Sequence, residues 1–444
     1  MNHTPELNDR RQIFGWIMYD WANSAYVTTV VVAVLPAYFA SVVVPPGGVT
    51  IAGINYSATA LWGFVTSLAA FLVFMVAPIM GAVSDFSASK KKFLIICAYT
   101  GCLAASLLFF CGTGDVWKTL TLFIIAQIGF VGGNIFYDAF LPSIASEDKM
   151  DWVSGQGFAW GYIGGGLQLA LSLALIAGHQ TIGISAELAA RLAILMAAVW
   201  WGGFSLITFF NLKEAQTFEE IPPEYQHLPP WRAYIQVGLL RTIVTVRKVR
   251  LFKHLLRFLI AYMIYNNGIQ TVITMATIYG SEELGFSQNV LMITLLVIQF
   301  VSFFGALGFS KLAELTTSKT ALMISLVGWS IVVIYAYFMN SPTEYFVLGG
   351  IVGLVLGGSQ ALSRSFYGSI IPPWAAAEFY GFYSVFNKGS AIFGPFLFAV
   401  ILQVTGTARN SILALIVFFI VGLVGLYFVD VEQAKQARNI QHLE

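Results

Sequence analysis

Apolar runs of about 20 residues recur from near Phe14 almost to Asp430, and this recurrence constrains the chain more than any motif in it. A helix rises 1.5 Å per residue, so each run can cross the hydrocarbon core of a bilayer. The composition agrees: 58% of residues are hydrophobic and 10% charged, against about 25% charged in an ordinary soluble domain. A water-covered surface cannot be built from so few charges. The expectation is an all-α membrane protein.

Cutting at charges, prolines and glycine clusters yields twelve apolar segments. The first six run roughly 13 to 41, 57 to 82, 91 to 112, 117 to 142, 152 to 179 and 189 to 211. The second six run roughly 252 to 279, 287 to 309, 318 to 340, 343 to 370, 375 to 405 and 409 to 430. The expected organisation is an N-terminal six-helix bundle over 1–211, a cytoplasmic linker over 212–251, and a C-terminal six-helix bundle over 252–444 with a short cytoplasmic tail. The linker carries Glu219, Glu220 and two proline pairs. Its stretch from Trp231 to Arg257 mixes basic and apolar residues, which fits either a tether or a segment lying on an anionic leaflet. Basic loops are retained on the cytoplasmic side. With the N-terminus inside, Lys118, Arg191 and Arg409 fall in outer loops and Arg364 and Lys388 within segments, leaving 18 of the 23 basic residues inside. The expected topology is N-in, C-in.

The two halves repeat one another. The turn after segment 2 places Asp85 five residues before Lys90, and the turn after segment 8 places Glu314 five residues before Lys319. Segment 4 holds Gly132-Gly133 ahead of Pro142, and segment 10 holds Gly357-Gly358 ahead of Pro372. The acid–lysine pairs are offset by 229 residues and the glycine pairs by 225, as duplication of one bundle requires.

Six plus six segments with a central linker and an acid–basic turn after segments 2 and 8 resemble the major facilitator superfamily. Gly81, Asp85, Lys90, Lys91 and Lys92 fit that superfamily's Gly-x3-Asp-x-x-Gly-Arg-Lys turn, except that the second glycine is absent. The second copy is degenerate. More narrowly, Tyr19-Asp20-Trp21-Ala22-Asn23-Ser24-Ala25-Tyr26, Gly161-Tyr162-Ile163-Gly164-Gly165-Gly166, Ala361-Leu362-Ser363-Arg364 and Gly381-Phe382-Tyr383 are similar to the vacuole effluxer-like branch. The resemblance implies the major facilitator fold, two pseudo-symmetric bundles with segments 1, 4, 7 and 10 around a central cavity. It further implies alternating access and solute efflux, with amino acids released by vacuolar members. A carboxylate such as Asp85 holds neighbouring helix ends together through helix dipoles and basic partners.

Ionisable groups inside a bilayer mark function, because each costs about 2.5 to 3.5 kcal/mol at a helix centre on insertion scales. Asp20 lies about 10 Å into segment 1, Asp138 near the inner end of segment 4, and Arg364 at the matching depth of segment 10. A gate joining Asp20 or Asp138 to Arg364 follows, with Asp85, Lys90, Glu314 and Lys319 as further gating or proton-coupling candidates. Lys388 lies roughly 20 Å from the inner end of segment 11, near the midplane. Asn23, Asn134, Tyr137, Asn266, Asn267, Gln270, Gln360, Asn387 and Lys388 are the candidate substrate ligands, since amides offer both donors and acceptors to a zwitterionic or hydroxylated solute. Gln127, Gln168 and Gln299 read as interhelical hydrogen-bond partners. Trp16, Trp117, Trp152, Trp231 and Trp374 read as interfacial aromatic belts.

Other chemistries find no support in the sequence. There is no phosphate loop for ATP, the five histidines make no metal constellation, and no nucleic-acid module appears. Cys97, Cys102 and Cys111 lie in one apolar run and read as packing residues. The expectation is a secondary transporter, not an enzyme, that exports a small polar solute, specifically an amino acid, with protons as a coupling partner and no cofactor. It is expected to be a monomer. The polar Met1–Arg11 start and the lack of a small-residue cleavage site in the first apolar run argue against a cleaved signal peptide, and the absence of a presequence together with the compact loops points to a bacterial inner membrane. The alternative is a membrane-embedded lipid-handling protein or enzyme using the same polar cavity. That reading needs a nucleophile and base within reach, and no such pair stands out.

Overall fold

The computed structural model describes residues 7–214, 223–247, 252–390 and 393–438. Helix α1 (Arg10–Ala25) runs on without a break to Val43, through wide π-helical turns at Tyr26–Val34. All six residues from Val27 to Val32 after Tyr26 are valine or threonine, whose branched side chains crowd an α-helical turn. The wider turn relieves that crowding and sets Val27, Thr28, Val31 and Val32 along a central cavity. A two-stranded hairpin follows, β1 (Val49–Ile51) antiparallel to β2 (Ile54–Tyr56) with Val49 opposite Tyr56. Apolar segmentation gave no sign of it, because six short residues in a loop have no helical period.

The first half continues with α2 (Ala58–Phe86), α3 (Lys90–Leu107), α4 (Val116–Ile144), α5 (Met150–Ala177) and α6 (Ala186–Asn211). The expected linker contains a helix, α7 (Pro230–Arg247), while 215–222, with Glu219 and Glu220, and 248–251 lie outside the described residues. The second half comprises α8 (Lys253–Ile278), α9 (Gln288–Leu315), α10 (Ser318–Phe338) and α11 (Pro342–Ile370). It ends with α12 (Ala376–Gly389), α13 (Phe393–Thr405), α14 (Ala408–Ala414), α15 (Ile416–Tyr427) and α16 (Val431–Arg438). Ten spans among the described residues are long and apolar enough to cross a membrane. The seventh and eleventh expected segments are not among these ten: one is α8, interrupted by Asn266, Asn267 and Gln270, and the other is divided into α12 and α13.

Local sequence explains the helix starts. Ser341 and Glu344 form a reciprocal capping box around the first turn of α11, with Pro342 at its first position. Thr317 and Ser185 cap α10 and α6 in the same way through their hydroxyls. Pro78 and Pro142 lie inside helices, as membrane helices tolerate. Large apolar side chains remain exposed on the outer faces, with Phe64, Leu68, Phe71 and Met75 at helical spacing along α2. That stripe suits lipid and would be a liability in water.

Both ends of the bundle are distinguishable. One gathers the N-terminus, the α2–α3 and α4–α5 turns, the start of α8, the α9–α10 turn and α16, and it is named here the basic end. Its turns touch: Asn8 bonds Ser146, Arg11 bonds Asn211, Lys91 bonds the Leu212 carbonyl, and His254 bonds Gln433. Lys118, Arg191 and Arg409 lie at the opposite end, beside Phe110, Glu187 and Asn340.

The halves meet along two glycine-lined seams. In the first, α2 lies on α12, and a Cβ on Gly381 would come within 2.8 Å of the Ala77 carbonyl while one on Gly81 would strike the Ala377 carbonyl. In the second, α5 lies on α9, where Gly155 faces Ser310 and Gly166 faces Gln299. Close approach of backbones at small residues is how membrane helices associate without a hydrophobic driving force. Helix α7 is more than a tether: Gly238 abuts Val83, and Tyr234 meets Phe86 edge-on at 5.8 Å. Its other face exposes Ile235, Leu239 and Ile243. Trp16 departs from the aromatic-belt expectation. It is fully buried and stacked on Tyr137 at 4.4 Å, because its indole N–H is committed to the Tyr137 carbonyl. The side chain of Trp231 lies outside the described residues.

Candidate functional site

A cavity of about 610 Å³ lies between the halves. It reaches from Tyr279, Ala336 and Tyr345 at the end opposite the basic one down to Asp20, Asp138 and Arg364. Its upper walls are aliphatic, with Val31, Ile273, Leu295 and Val352, while its floor is polar and aromatic. Beneath the floor the halves close on one another.

Arg364 of α11 is the centre of that floor. Its Nη1 donates to Asp20 Oδ2 at 2.9 Å and to Asp138 Oδ1 at 3.3 Å, both from the first half. Its Nε and Nη2 donate to the Ser154 hydroxyl and carbonyl at 3.0 and 2.9 Å. The guanidinium carbon stands 4.0 Å from the Phe158 ring centroid and 4.6 Å from that of Trp16, a cation–π cage that compensates the lost water. Arg364 is 3% exposed, so this network replaces its hydration almost entirely. Tyr137 donates to Asp20 Oδ2 at 2.8 Å and so fixes the carboxylate that Arg364 uses. One cation faces two carboxylates, which leaves the trio one formal negative charge when all three are ionised.

Amides line the walls above. Asn23 donates to Asn134 at 2.7 Å within the first half, and Asn266 donates to Asn387 at 3.1 Å within the second. Tyr162 donates to Gln360 at 2.5 Å across the halves. All six line the cavity, as does Gln270. Asn267 does not. Its side chain accepts from the Gly394 N–H at 2.8 Å and donates to the Met263 carbonyl at 3.3 Å, so it joins α8 to α13. The side chain of Lys388 lies outside the described residues, although its backbone belongs to α12. Gln127 and Gln168 do bond neighbouring helices, to Tyr26 and Thr29, and Gln127 and Gln299 also border the cavity.

Asp85 stands at the first seam. One oxygen pairs with Lys90 at 2.9 Å and the other accepts the Glu378 N–H at 2.8 Å, so a first-half carboxylate caps α12 of the second half. The repeat-related residues behave differently. Glu314 pairs with Lys311 at 2.6 Å, and Lys319 donates to the Tyr427 and Val429 carbonyls. They stay within the second half, so the repeated spacing does not reproduce the cross-seam contact. Lys90 and Lys91 lead α3, and Glu214 accepts both their amide N–H groups at 2.9 and 2.7 Å. Burial holds the Glu214 carboxyl above the usual range.

Several members of the site carried no sequence signal of their own. Ser154 bonds the Ala361 carbonyl at 2.8 Å besides Arg364, and Asp151 accepts from Ser318 and Ser365 of the second half at 2.6 and 2.5 Å. Tyr262 stacks on Tyr383 at 4.5 Å beside Tyr265 and Tyr380. Four tyrosines on α8 and α12 at helical spacing were the available hint. Glu147 of the α4–α5 turn pairs with Lys435 and, at 2.9 Å, with Arg438 of α16. No group of three or more potential metal ligands occurs among the described residues.

A polar cavity between two helical halves, closed at one end by charges from both, defines a multi-pass membrane transporter of the major facilitator type. Solved structures share the fold: the human organic anion transporter MFSD10 has a TM-score of 0.67 at 14% identity, covering 94% of this chain and 99% of its own. FucP, captured in the outward conformation, gives 0.67 at 12% identity, covering 95% and 98%. The chain belongs to the family described as vacuole effluxer Atg22 like, whose profile matches residues 8–439. The uncharacterised MFS-type transporter YxiO of Bacillus subtilis is 35% identical over 97% of this chain and 98% of its own length. Autophagy-related protein 22-1 of Aspergillus niger is 29% identical over 64% of this chain and 48% of its own length.

Proposed function

We propose that this chain exports a small zwitterionic or cationic solute, an amino acid, by alternating access between its two halves, with protons as the coupling ion. The single observation behind this reading is Arg364 held between Asp20 and Asp138 at the floor of the cavity. The trio's surplus negative charge suits a substrate ammonium or a proton. Asn23, Asn134, Asn266, Gln270, Gln360 and Asn387 supply donors and acceptors for the rest of the solute, with the neighbouring tyrosines as a π surface. In this reading the basic end faces the cytoplasm, twelve segments cross the membrane, the first and second halves move as two bundles, and the cavity is in its outward-open state. The family description speaks of efflux, and the fold neighbours FucP and XylE are proton symporters of fucose and xylose. Similarity to the Bacillus relative along nearly its whole length supports a bacterial cell membrane.

Counterflow in proteoliposomes tests the proposal. Vesicles loaded with single unlabelled amino acids should accumulate the matching labelled one, and Asp20→Asn, Asp138→Asn and Arg364→Gln should each abolish accumulation. Retained counterflow in all three variants would remove the site, and failure of every amino acid while another solute class exchanges would remove the substrate assignment.

A further inference from the structure

A second cavity, of about 640 Å³, lies on the outer wall of the first half between the leading ends of α1 and α5. Its wall residues follow helical spacing on both sides. On α1 these are Arg10, Ile13, Phe14, Ile17 and Trp21; on α5 they are Lys149, Trp152, Gln156 and Trp160. Each helix thus opens with a cation and continues as an apolar stripe. From Arg10 to Trp21 the groove descends about 16 Å, which matches the reach of an acyl chain beneath a headgroup. Phe14 and Trp160 are 54% and 45% exposed, so the stripe faces outward rather than into the core.

Charge at the mouth points to an anion. Arg10 and Lys149 are the only ionisable residues lining the groove, both are exposed, and neither forms an ion pair among the described residues. Neighbouring acids are largely engaged: Asp9 accepts the Arg11 N–H at 3.0 Å, and Asp151 turns to Ser318 and Ser365. Glu147 pairs with Lys435 and Arg438, and Asp148 stands exposed beside Lys149. Two helix N-termini also converge there, and their dipoles favour an anion. Deeper in, the Trp21 indole N–H is buried without an acceptor among the described residues.

We propose that this groove binds one anionic phospholipid, its phosphate between Arg10 and Lys149 and one acyl chain along Ile13, Ile17 and Trp21. A basic mouth above an apolar floor is the combination by which membrane proteins hold acidic lipids. Trp160, on the groove's edge, meets Phe303 of α9 at 5.8 Å, so the lipid would abut the seam between the halves.

Native mass spectrometry of the purified full chain tests this. Phosphatidylglycerol should be retained at one equivalent in preference to phosphatidylcholine of the same chains. Arg10→Gln with Lys149→Gln should lower its retention at least fivefold and leave phosphatidylcholine unchanged. Ile13→Trp, which fills the groove and keeps both charges, should lower it as well. A lipid-free melting temperature matching the parent's shows that the variants fold. Equal retention of the two lipids, or unchanged retention in both variants, would overturn the proposal, as would protection by free glycerol phosphate equal to that by phosphatidylglycerol. Binding is read without transport, so this result and the counterflow result can fail separately.

Discussion

Arg364 Nη1 sits 2.9 Å from Asp20 Oδ2 and 3.3 Å from Asp138 Oδ1, so a single donor group from α11 ties together two helices of the other half. Removing one partner of a buried ion pair costs of order 3–5 kcal/mol, mostly through the charge left behind. Arg364→Gln should therefore lower thermal stability sharply. Adding Asp20→Asn and Asp138→Asn removes the stranded charges, and the triple variant should melt above the single one while remaining inactive. A triple variant that melts below Arg364→Gln would contradict this account of the network.

At the first seam, Asp85 bonds Lys90 and caps the N-terminus of α12. Asp85→Asn keeps the shape but loses the ion pair and weakens the cap, which biases the basic end toward opening. The three native cysteines are buried, so a cysteine introduced at cavity residue Ser384 reports access. Its alkylation by a membrane-impermeant reagent applied from the basic end should speed up several-fold in the Asp85→Asn background. An unchanged rate would mean that this contact does not hold the seam closed.

Glu147 meets Lys435 and Arg438 of α16 where the α4–α5 turn of the first half approaches the tail of the second. Partial burial pushes its carboxyl up, but the two cations outweigh that and hold it below the ordinary glutamate range. A depressed carboxylate stabilises the fold above its unfolded pKa of about 4.3, and that contribution fades as pH falls through the folded value. Exposed pairs contribute only about 0.2–1 kcal/mol each. Lys435→Ala with Arg438→Ala should thus lower the melting temperature by about 2 °C near neutrality, and the difference from the parent should close as the pH drops below 4. A deficit that persists undiminished in acid would assign the effect to lost packing instead.

The fold was legible because its physics is one-dimensional: the lengths of the apolar runs gave the helix order before any contact was known. Asp20, Asp138 and Arg364 were legible for the same reason, since a charge inside an apolar run needs a partner and few were on offer. What the sequence hid was side-chain direction. Asn266 and Asn267 are adjacent and chemically identical, yet helical geometry turns them about 100° apart, one into the cavity and the other onto α13. Glu314–Lys319 matched Asp85–Lys90 in spacing, but the partner that gives Asp85 its meaning is a backbone N–H of Glu378, nearly 300 residues away. Trp16 looked interfacial by position and proved to be the floor on which Tyr137 and Arg364 rest.

That asparagine pair gives the clearest separation of structure from function. Asn267 accepts the Gly394 N–H at 2.8 Å in a buried setting, so Asn267→Ala strands that donor at a cost of about 1–3 kcal/mol. Asn266 faces the cavity and bonds Asn387 and Ser390, both polar side chains that can turn to each other or to solute. Asn267→Ala should lower the melting temperature while the molecules that remain folded keep the parent's KM. Asn266→Ala should do the reverse, raising KM several-fold with a smaller loss of stability. Thermal melts beside concentration-dependent counterflow distinguish the two, and a KM effect confined to Asn267→Ala would reverse the assignment of which amide faces the solute.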